Sequence, residues 1–397
     1  MQTNIHPDLI ALPKVQEADA ILRKCVHCGF CTATCPTYQL LGDELDGPRG
    51  RIYLLKNLLE ENTISNASIA HLDRCLTCRA CETTCPSGVE YGRLLDIGRE
   101  FVKEHASRPL RSQLLTSALR LVVPRPGLFG PLLKLGQLFR PLLPAFIQTH
   151  VPTKMPVLHQ IEPVMGAKVV LLSGCVQAAA TPNVVASLLK VLHHQGMDAE
   201  VFHEGCCGAL DYHLSAHEAG MQKMKAVIDQ LYPRIDQIDH IVSSATGCGV
   251  TIRDYPEILQ YDVGYRDKAI AIVDKLVDPI EIVSGEAIEV TGTRVAVHTP
   301  CSMQHGLGLI GSVEKLLGEI GFDITPHREG HLCCGSAGTY SILQPELSKQ
   351  LKERKLNVLC EGKPDVIVTA NVGCQLQLKE GVNIPVMHWL ELVAERI

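Results

Sequence analysis

The C-terminal part of the chain alternates short β-branched runs with stretches whose apolar residues recur at helical spacing. KVVLLSG (168–174) is followed by a helical pattern from about Asn183 to His194, then by AEVFHE (199–204) and later by HIVSSATG (240–247). The pattern restarts at RVAVHTP (294–300) and continues with a helix near Gly311 to Ile320, FDITPH (322–327), DVIVTANVG (365–373) and PVMHW (385–389). Short apolar runs that alternate with helical segments predict parallel α/β units. The longest uncharged run, Val169 to Leu189, contains Ser, Gly, Cys, Gln, Thr, Pro and Asn, so it reads as strand, turn and helix and does not span a bilayer.

Residues 105–161 have a different character: five Arg, two Lys, no Asp or Glu, and prolines at 109, 124, 126, 131, 141, 144, 152 and 156. Proline interruption predicts short helical pieces, Leu110 to Val123 and Leu132 to Phe139, with leucines at helical spacing beside arginines. Such a segment is a candidate for peripheral contact with anionic lipid or an acidic partner face. A proline-punctuated packing arm between domains accounts for it equally well.

With 397 residues, 46% of them hydrophobic, the chain is long enough for two or three domains. A net charge of −6 and 4% aromatic residues supply neither the basic stripe nor the stacking rings of a nucleic-acid binder. The start MQTNIHPDLIALPKVQEADA carries no signal-peptide pattern. The seventeen cysteines therefore argue against a secreted disulfide scaffold and for reduced, metal-holding thiols in a cytoplasmic protein.

Sixteen of those cysteines fall into two duplications. Cys25, Cys28, Cys31 and Cys35 recur 50 residues later as Cys75, Cys78, Cys81 and Cys85. Cys175, Cys206, Cys207 and Cys248 recur as Cys301, Cys333, Cys334 and Cys374, offset by 126 or 127 residues. Recurrence at a fixed offset marks duplicated structural units. Cys360 has no duplicate and reads as a small buried hydrophobe.

CVHCGFCTATCP (25–36) and CLTCRACETTCP (75–86) both obey C-x2-C-x2-C-x3-C-P. In this pattern three closely spaced thiolates ligate one cubane cluster, and the fourth, followed by proline, ligates the other. The expected 4Fe-4S ligand sets are thus Cys25, Cys28, Cys31 with Cys85, and Cys75, Cys78, Cys81 with Cys35. Four-cysteine zinc sites are the competing reading, but zinc knuckles need neither the third and fourth thiolates nor the Cys-Pro ending. Arg49, Arg51 and Arg79 are placed to raise a cluster potential or seat a partner, or are solvated charges around a helix beginning after GPRG. His27 reads as an exposed spacer.

The second duplication reads SGCV, EGCCGAL and TGCGV, then TPCS, HLCCGSAG and VGCQL. Four cysteines from three separate strand ends need a folded α/β domain to bring them together, and Gly208 and Gly335 allow the tight turn after each Cys-Cys pair. A metal cluster, a redox disulfide and a structural zinc all fit this set as a cofactor site. His203, His213, His298, His305 and His331 lie nearby in sequence as ligands or proton carriers, although a single such histidine is more often structural. No P-loop or GxSxG pattern occurs, and flavin and hydride chemistry is expected on another chain, with no catalytic residue assigned here.

The double ferredoxin motif followed by two CCG repeats resembles the electron-transfer subunits of heterodisulfide reductase, anaerobic glycerol-3-phosphate dehydrogenase and glycolate oxidase. CVHCGFCTATCPTYQLLGDELDGPRGRIYL (25–54), CCGALDYHL (206–214), HLCCGSAGTY (331–340) and IVTANVGCQ (367–375) look most like the iron-sulfur subunits of glycolate oxidase. The resemblance implies a membrane-associated, flavin-dependent glycolate dehydrogenase. Its flavoprotein subunits would oxidise glycolate to glyoxylate, and this chain would pass the electrons toward a quinone-type acceptor. Relatives that bind an unusual cluster in the CCG repeats end them in C-x2-C. Here Thr251 follows Cys248 and Gln377 follows Cys374, which leaves four thiolates per repeat.

Together these readings predict an α+β multidomain protein: a mainly helical two-cluster ferredoxin-like domain at 1–104, a basic connecting segment at 105–161, and duplicated α/β cysteine-rich (CCG) domains at 162–290 and 291–397. The expected location is cytoplasmic, with peripheral contact on the cytoplasmic face of the inner membrane. Competing readings keep the relay but change the donor to lactate or glycerol 3-phosphate, make the CCG repeats a heterodisulfide-reducing centre, or leave a redox-silent assembly protein.

Overall fold

The computed structural model describes the chain except for residues 106–107, 145–147, 149–150, 154–161, 204, 287, 289 and 291. Its N-terminal part is helical. The helices Pro13–Lys24, Pro48–Glu61 and Tyr91–His105 bury Val15, Leu22, Leu55, Leu58 and Leu95 against one another. Pro48 opens its helix at the first position, where the missing amide costs nothing. The helix thus begins within GPRG and not after it, so Arg49 lies inside the helix, two residues before Arg51.

Two four-stranded parallel sheets follow. The first contains β1 (Val169–Leu172), β2 (Ala199–Phe202), β3 (His240–Ser243) and β4 (Leu276–Val277), in the order β2-β1-β3-β4. The second contains β5 (Arg294–His298), β6 (Asp323–Ile324), β7 (Val366–Thr369) and β8 (Val386–His388), in the order β6-β5-β7-β8. Register repeats as well: Val169 faces Ala199 and His240, and Val295 faces Ile324 and Val366. The duplicated α/β architecture expected from the alternating runs is the one observed. Chain order reverses between β1 and β3, and between β5 and β7, so loops leaving the carboxyl ends of neighbouring strands diverge there and open a crevice.

The two sheets share one apolar core. Val169, Leu188, Leu192, Val297, Leu317 and Trp389 belong to the same buried cluster, and the helix Asn183–His194 packs on the helix Trp389–Ala394. Polar ties cross the same seam: His388 Nε2 lies 3.0 Å from the Ser244 carbonyl, and Thr246 Oγ1 lies 2.7 Å from Ser302 Oγ.

Among the described residues the connecting segment forms the α-helices Leu110–Val122 and Pro126–Leu138. The second begins six residues before the expected Leu132 because Pro131 is carried inside it. That proline removes only the bond its amide would make to Gly127, and the turns on either side hold. Three arginines of the segment pair with different parts of the molecule: Arg108 with Asp73, Arg120 with Asp211, and Arg140 with Glu380. The arm thereby straps the helical part to both sheets. Its outer side is apolar, with Leu110 76% and Leu138 72% exposed and Leu114, Leu132 and Leu142 exposed beside them. Lys154 and Pro156 lie outside the described residues.

Candidate cluster and thiol sites

Each ferredoxin motif turns its chain back through left-handed backbone at the same two places. His27 and Gly29 have φ of 56° and 84°, and Thr77 and Arg79 have φ of 54° and 61°. Three of these four residues are not glycine, so each such turn holds a conformation that costs about 1–2 kcal/mol. The turns wrap three cysteines around a hollow, and the fourth cysteine comes from the other motif. One hollow is lined by Cys25, Cys28, Cys31 and Cys85, with Cys81 on its border. A second hollow is lined by Cys35, Cys75, Cys78 and Cys81. Each hollow brings the three leading thiols of one motif together with the fourth of the other, and Cys81 borders both.

A single zinc ion holds its thiolates at about 2.3 Å, so tetrahedral sulfurs stand about 3.8 Å apart. Among the described residues no three of these eight sulfurs lie within 4.8 Å of one another. Neither set of sulfurs is drawn together as a single ion would draw it, and four thiols around each hollow suit a cubane. Burial and the neighbouring Cys25, Cys28 and Cys85 push the Cys31 thiol up to about 11, and burial and neighbouring thiols drive Cys78 and Cys81 upward too. Thiols packed this closely need a cationic guest to become thiolates together.

Arg51 stands beside the second hollow and is 1% exposed. Its Nη1 lies 4.0 Å from Cys35 Sγ and donates to Thr37 Oγ1 at 3.1 Å, and its Nε donates to the His71 carbonyl at 2.7 Å. Asp46, 3.4 Å from Nη2, is also held by Arg74 at 2.9 Å. The solvated-charge reading fails for Arg51. Arg49 pairs with Glu44, and Arg79 bridges Glu82 and Asp254, tying the helical part to the first sheet. His27 is half-buried, edge-on to Tyr53, and is not an exposed spacer.

The CCG thiols gather at the carboxyl ends of their sheets. Cys175 follows β1, Cys206 and Cys207 follow β2, and Cys248 follows β3. Cys301, Cys333, Cys334 and Cys374 follow β5, β6 and β7 in the same way. Gly208 and Gly335 have φ of 83° and 84°, and a Cβ on either would stand 2.6 or 2.7 Å from a carbonyl oxygen of the packed helix. Each Cys-Cys step keeps its two thiols in contact and links each of them to a further thiol. Cys206 lies 3.6 Å from Cys175 while Cys207 bonds toward Cys248, and Cys333 lies 3.9 Å from Cys301 while Cys334 bonds toward Cys374. Hydrogen bonds from Cys175 and Cys207 hold the Cys206 thiol well below its ordinary value. Thr251 and Gln377, at the departed C-x2-C positions, bond to the Gly247 carbonyl and to Ser348 Oγ.

The two repeats meet the helical part differently. Cys301 and Cys333 share a small apolar cluster with Leu76, Cys78, Tyr340 and Leu351, so the second repeat abuts the second hollow directly. The first repeat joins through polar contacts, Arg93 to Tyr212 at 3.0 Å and His217 to Glu100 at 3.1 Å.

Four of the five histidines singled out earlier are not placed as ligands. His203 is exposed, His213 lies 3.5 Å from Asp96, His305 lies 2.9 Å from Thr83 Oγ1, and the His331 carbonyl faces the His305 ring. His298 differs: one ring nitrogen lies with the sulfurs of Cys334 and Cys374 inside a 4.8 Å group. Cys360 is half-buried at the end of its helix, not fully buried as expected. Sequence reasoning missed Lys355, which is 3% exposed and donates to the Glu329 and Gly330 carbonyls beside these thiols. A lysine on the apolar side of an amphipathic helix was the available signal.

Residues 21–89 match the 4Fe-4S dicluster domain, and residues 169–253 and 295–379 each match the cysteine-rich domain. The chain is 46% identical to the glycolate oxidase iron-sulfur subunit of Escherichia coli (strain K12), over all of this chain and 99% of that one. It belongs to the family of glycolate oxidase iron-sulfur subunits. The probable glycolate oxidase iron-sulfur subunit of Bacillus subtilis (strain 168) is 30% identical over 91% of this chain and 89% of its own length. Lactate utilization protein A of the same organism is 28% identical, over 58% of this chain and all of its own. Membership makes this an iron-sulfur protein of an oxidoreductase complex.

Proposed function

We propose that the chain is the electron-transfer subunit of a flavin-dependent glycolate dehydrogenase, receiving electrons from flavoprotein subunits that oxidise glycolate to glyoxylate and delivering them toward a quinone-type acceptor. The observation that carries this reading is the pair of crossed four-thiol hollows. Cys25, Cys28, Cys31 and Cys85 would hold one 4Fe-4S cluster, and Cys35, Cys75, Cys78 and Cys81 the other. Bound clusters would supply one-electron carriers between a two-electron donor and its acceptor.

The protein's own groups do the rest. Arg51 neutralises thiolate charge at the second hollow, and Leu76, Tyr340 and Leu351 keep water from the face it shares with Cys301 and Cys333. That dry face is the natural exit toward the C-terminal half, and the eight CCG thiols form the cofactor-binding sites beyond it. A lactate donor has weaker support, because the relatives named for lactate utilization match little more than half of the chain. Among the described residues no helix is long and apolar enough to cross a membrane. The exposed leucines of 110–142, beside Arg111, Arg125 and Lys134, suit peripheral contact with an anionic membrane.

The decisive assay compares the flavoprotein subunits with and without this chain. Without it, glycolate should still reduce a dye that takes electrons from flavin, while quinone reduction should vanish. Unimpaired quinone reduction would sink the role.

A further inference from the structure

The two CCG repeats share strand order and thiol order, yet they differ at two positions beside the thiols. His298, the last residue of β5, corresponds at the 126-residue offset to Leu172, the last residue of β1. Lys355, on the helix Pro345–Cys360, corresponds to Val227 on the helix His217–Leu231 when the two helices are matched by the carbonyls of Gly220 and Ser348 that pack on Gly208 and Gly335. Where the first repeat packs hydrocarbon, the second has placed an imidazole and an ammonium.

His298 is 1% exposed, and neither ring nitrogen has a hydrogen-bond partner among the described residues. Leaving a polar ring unpaired in the interior costs on the order of 1–3 kcal/mol. One of its nitrogens, Cys334 Sγ and Cys374 Sγ all lie within 4.8 Å of one another, the spacing of donors around a single ion. No three sulfurs of the first repeat, or of either ferredoxin hollow, are so close among the described residues.

We propose that the second CCG repeat holds one thiophilic divalent metal ion, of which zinc is the probe, on His298, Cys334 and Cys374. Two thiolates and a neutral imidazole cancel the charge of a divalent ion, which a buried site requires. Binding would release two thiol protons, and the Lys355 ammonium favours the resulting thiolates. Three protein donors leave one tetrahedral position open, as in zinc sites that exchange a fourth ligand. Cys301 and Cys333 stay outside the set, on the side facing Cys78. The first repeat, with Leu172, would not hold an ion in this way.

The inference rests on the reading of the CCG thiols as cofactor-binding, and its test separates the two. Full-length protein, purified anaerobically with its clusters and supplied with zinc, is analysed for zinc, iron and acid-labile sulfide. The same is done for His298→Leu, which copies the first repeat, and for His298→Asn and Cys374→Ser. Wild type should retain about one zinc per chain, and all three variants should lose it with iron and sulfide unchanged. Affinity in the His298 variants should fall by more than the roughly 10–100-fold typical of groups that merely orient a ligand. Cobalt-loaded wild type should show thiolate-to-cobalt charge-transfer absorption that changes in His298→Leu. Intact cubane signals in every variant verify the fold. Zinc retained by both His298 variants but lost from Cys374→Ser overturns the imidazole ligand and leaves the thiol site standing. Extra iron and sulfide at this site overturns the single ion. No zinc in wild type overturns the site itself and leaves the cluster relay untouched.

Discussion

Replacing Arg51 by Met removes a positive charge beside one thiol hollow while keeping most of the side-chain volume. Arg51 is fully buried, and Asp46 keeps Arg74 at 2.9 Å and His71 at 3.1 Å when the guanidinium is gone, so the variant leaves no orphaned carboxylate. The guanidinium is 4.0 Å from Cys35 Sγ, and an electron added to a cluster spreads beyond its thiolates. At roughly 7 Å and an effective dielectric of about 20, the lost attraction is about 2 kcal/mol. With 59 mV for each 1.4 kcal/mol in a one-electron couple, the potential should fall by about 100 mV. An anaerobic redox titration followed by electron paramagnetic resonance would resolve the two centres. The centre on Cys35, Cys75, Cys78 and Cys81 should move and the other should shift far less, with Arg51→Lys recovering most of the change. Equal shifts in both centres, or none at wild-type iron content, would refute the placement of this charge.

Burial lifts the Asp278 carboxyl to about 7, where its Oδ1 caps a short turn by accepting from the Ile280 amide at 3.1 Å. The native state then keeps a proton that the unfolded chain releases near 3.8. This stabilisation is complete below about pH 4 and lost as pH rises to about 7, a change of at most about 4 kcal/mol. Thermal melts of Asp278→Asn should gain on wild type from pH 5 to 7 and hold a constant lead above that, and parallel curves would disprove the raised value. Gly335→Ala should destabilise by roughly 1–3 kcal/mol or more, because its Cβ would stand 2.7 Å from the Ser348 carbonyl at a φ of 84°. A wild-type melting temperature in that variant would show that the turn relaxes freely. Leu114→Asp with Leu138→Asp should cut sedimentation with anionic vesicles several-fold, and unchanged sedimentation would assign the arm to packing alone.

The fold class was legible because two independent periodicities agreed, the cysteine offsets and the β-branched runs. The meeting of thiols from both motifs was legible for a local reason: in C-x2-C-x2-C-x3-C-P the fourth thiol is carried out of its own turn. Long-range juxtaposition stayed hidden. Nothing in the neighbours of His298 separates it from His203 or His331, and only the fold shows that β5 ends against Cys334 and Cys374. Arg51 reads like any helix arginine until Asp46, Thr37 and His71 close around it. Pro131 misled because the cost of one missing amide was read as a helix boundary.

The exchange of fourth cysteines between the two ferredoxin motifs also makes each hollow a staple. A guest bound by Cys31 and Cys85, or by Cys35 and Cys75, would close a loop of roughly 50 residues, a constraint on the unfolded chain of about 4 kcal/mol in a cross-link entropy treatment. The second guest would close a loop that the first has already shortened. Loading should therefore be cooperative, with empty and doubly filled chains outnumbering half-filled ones, and oxidative loss of one cluster should loosen the grip on its neighbour.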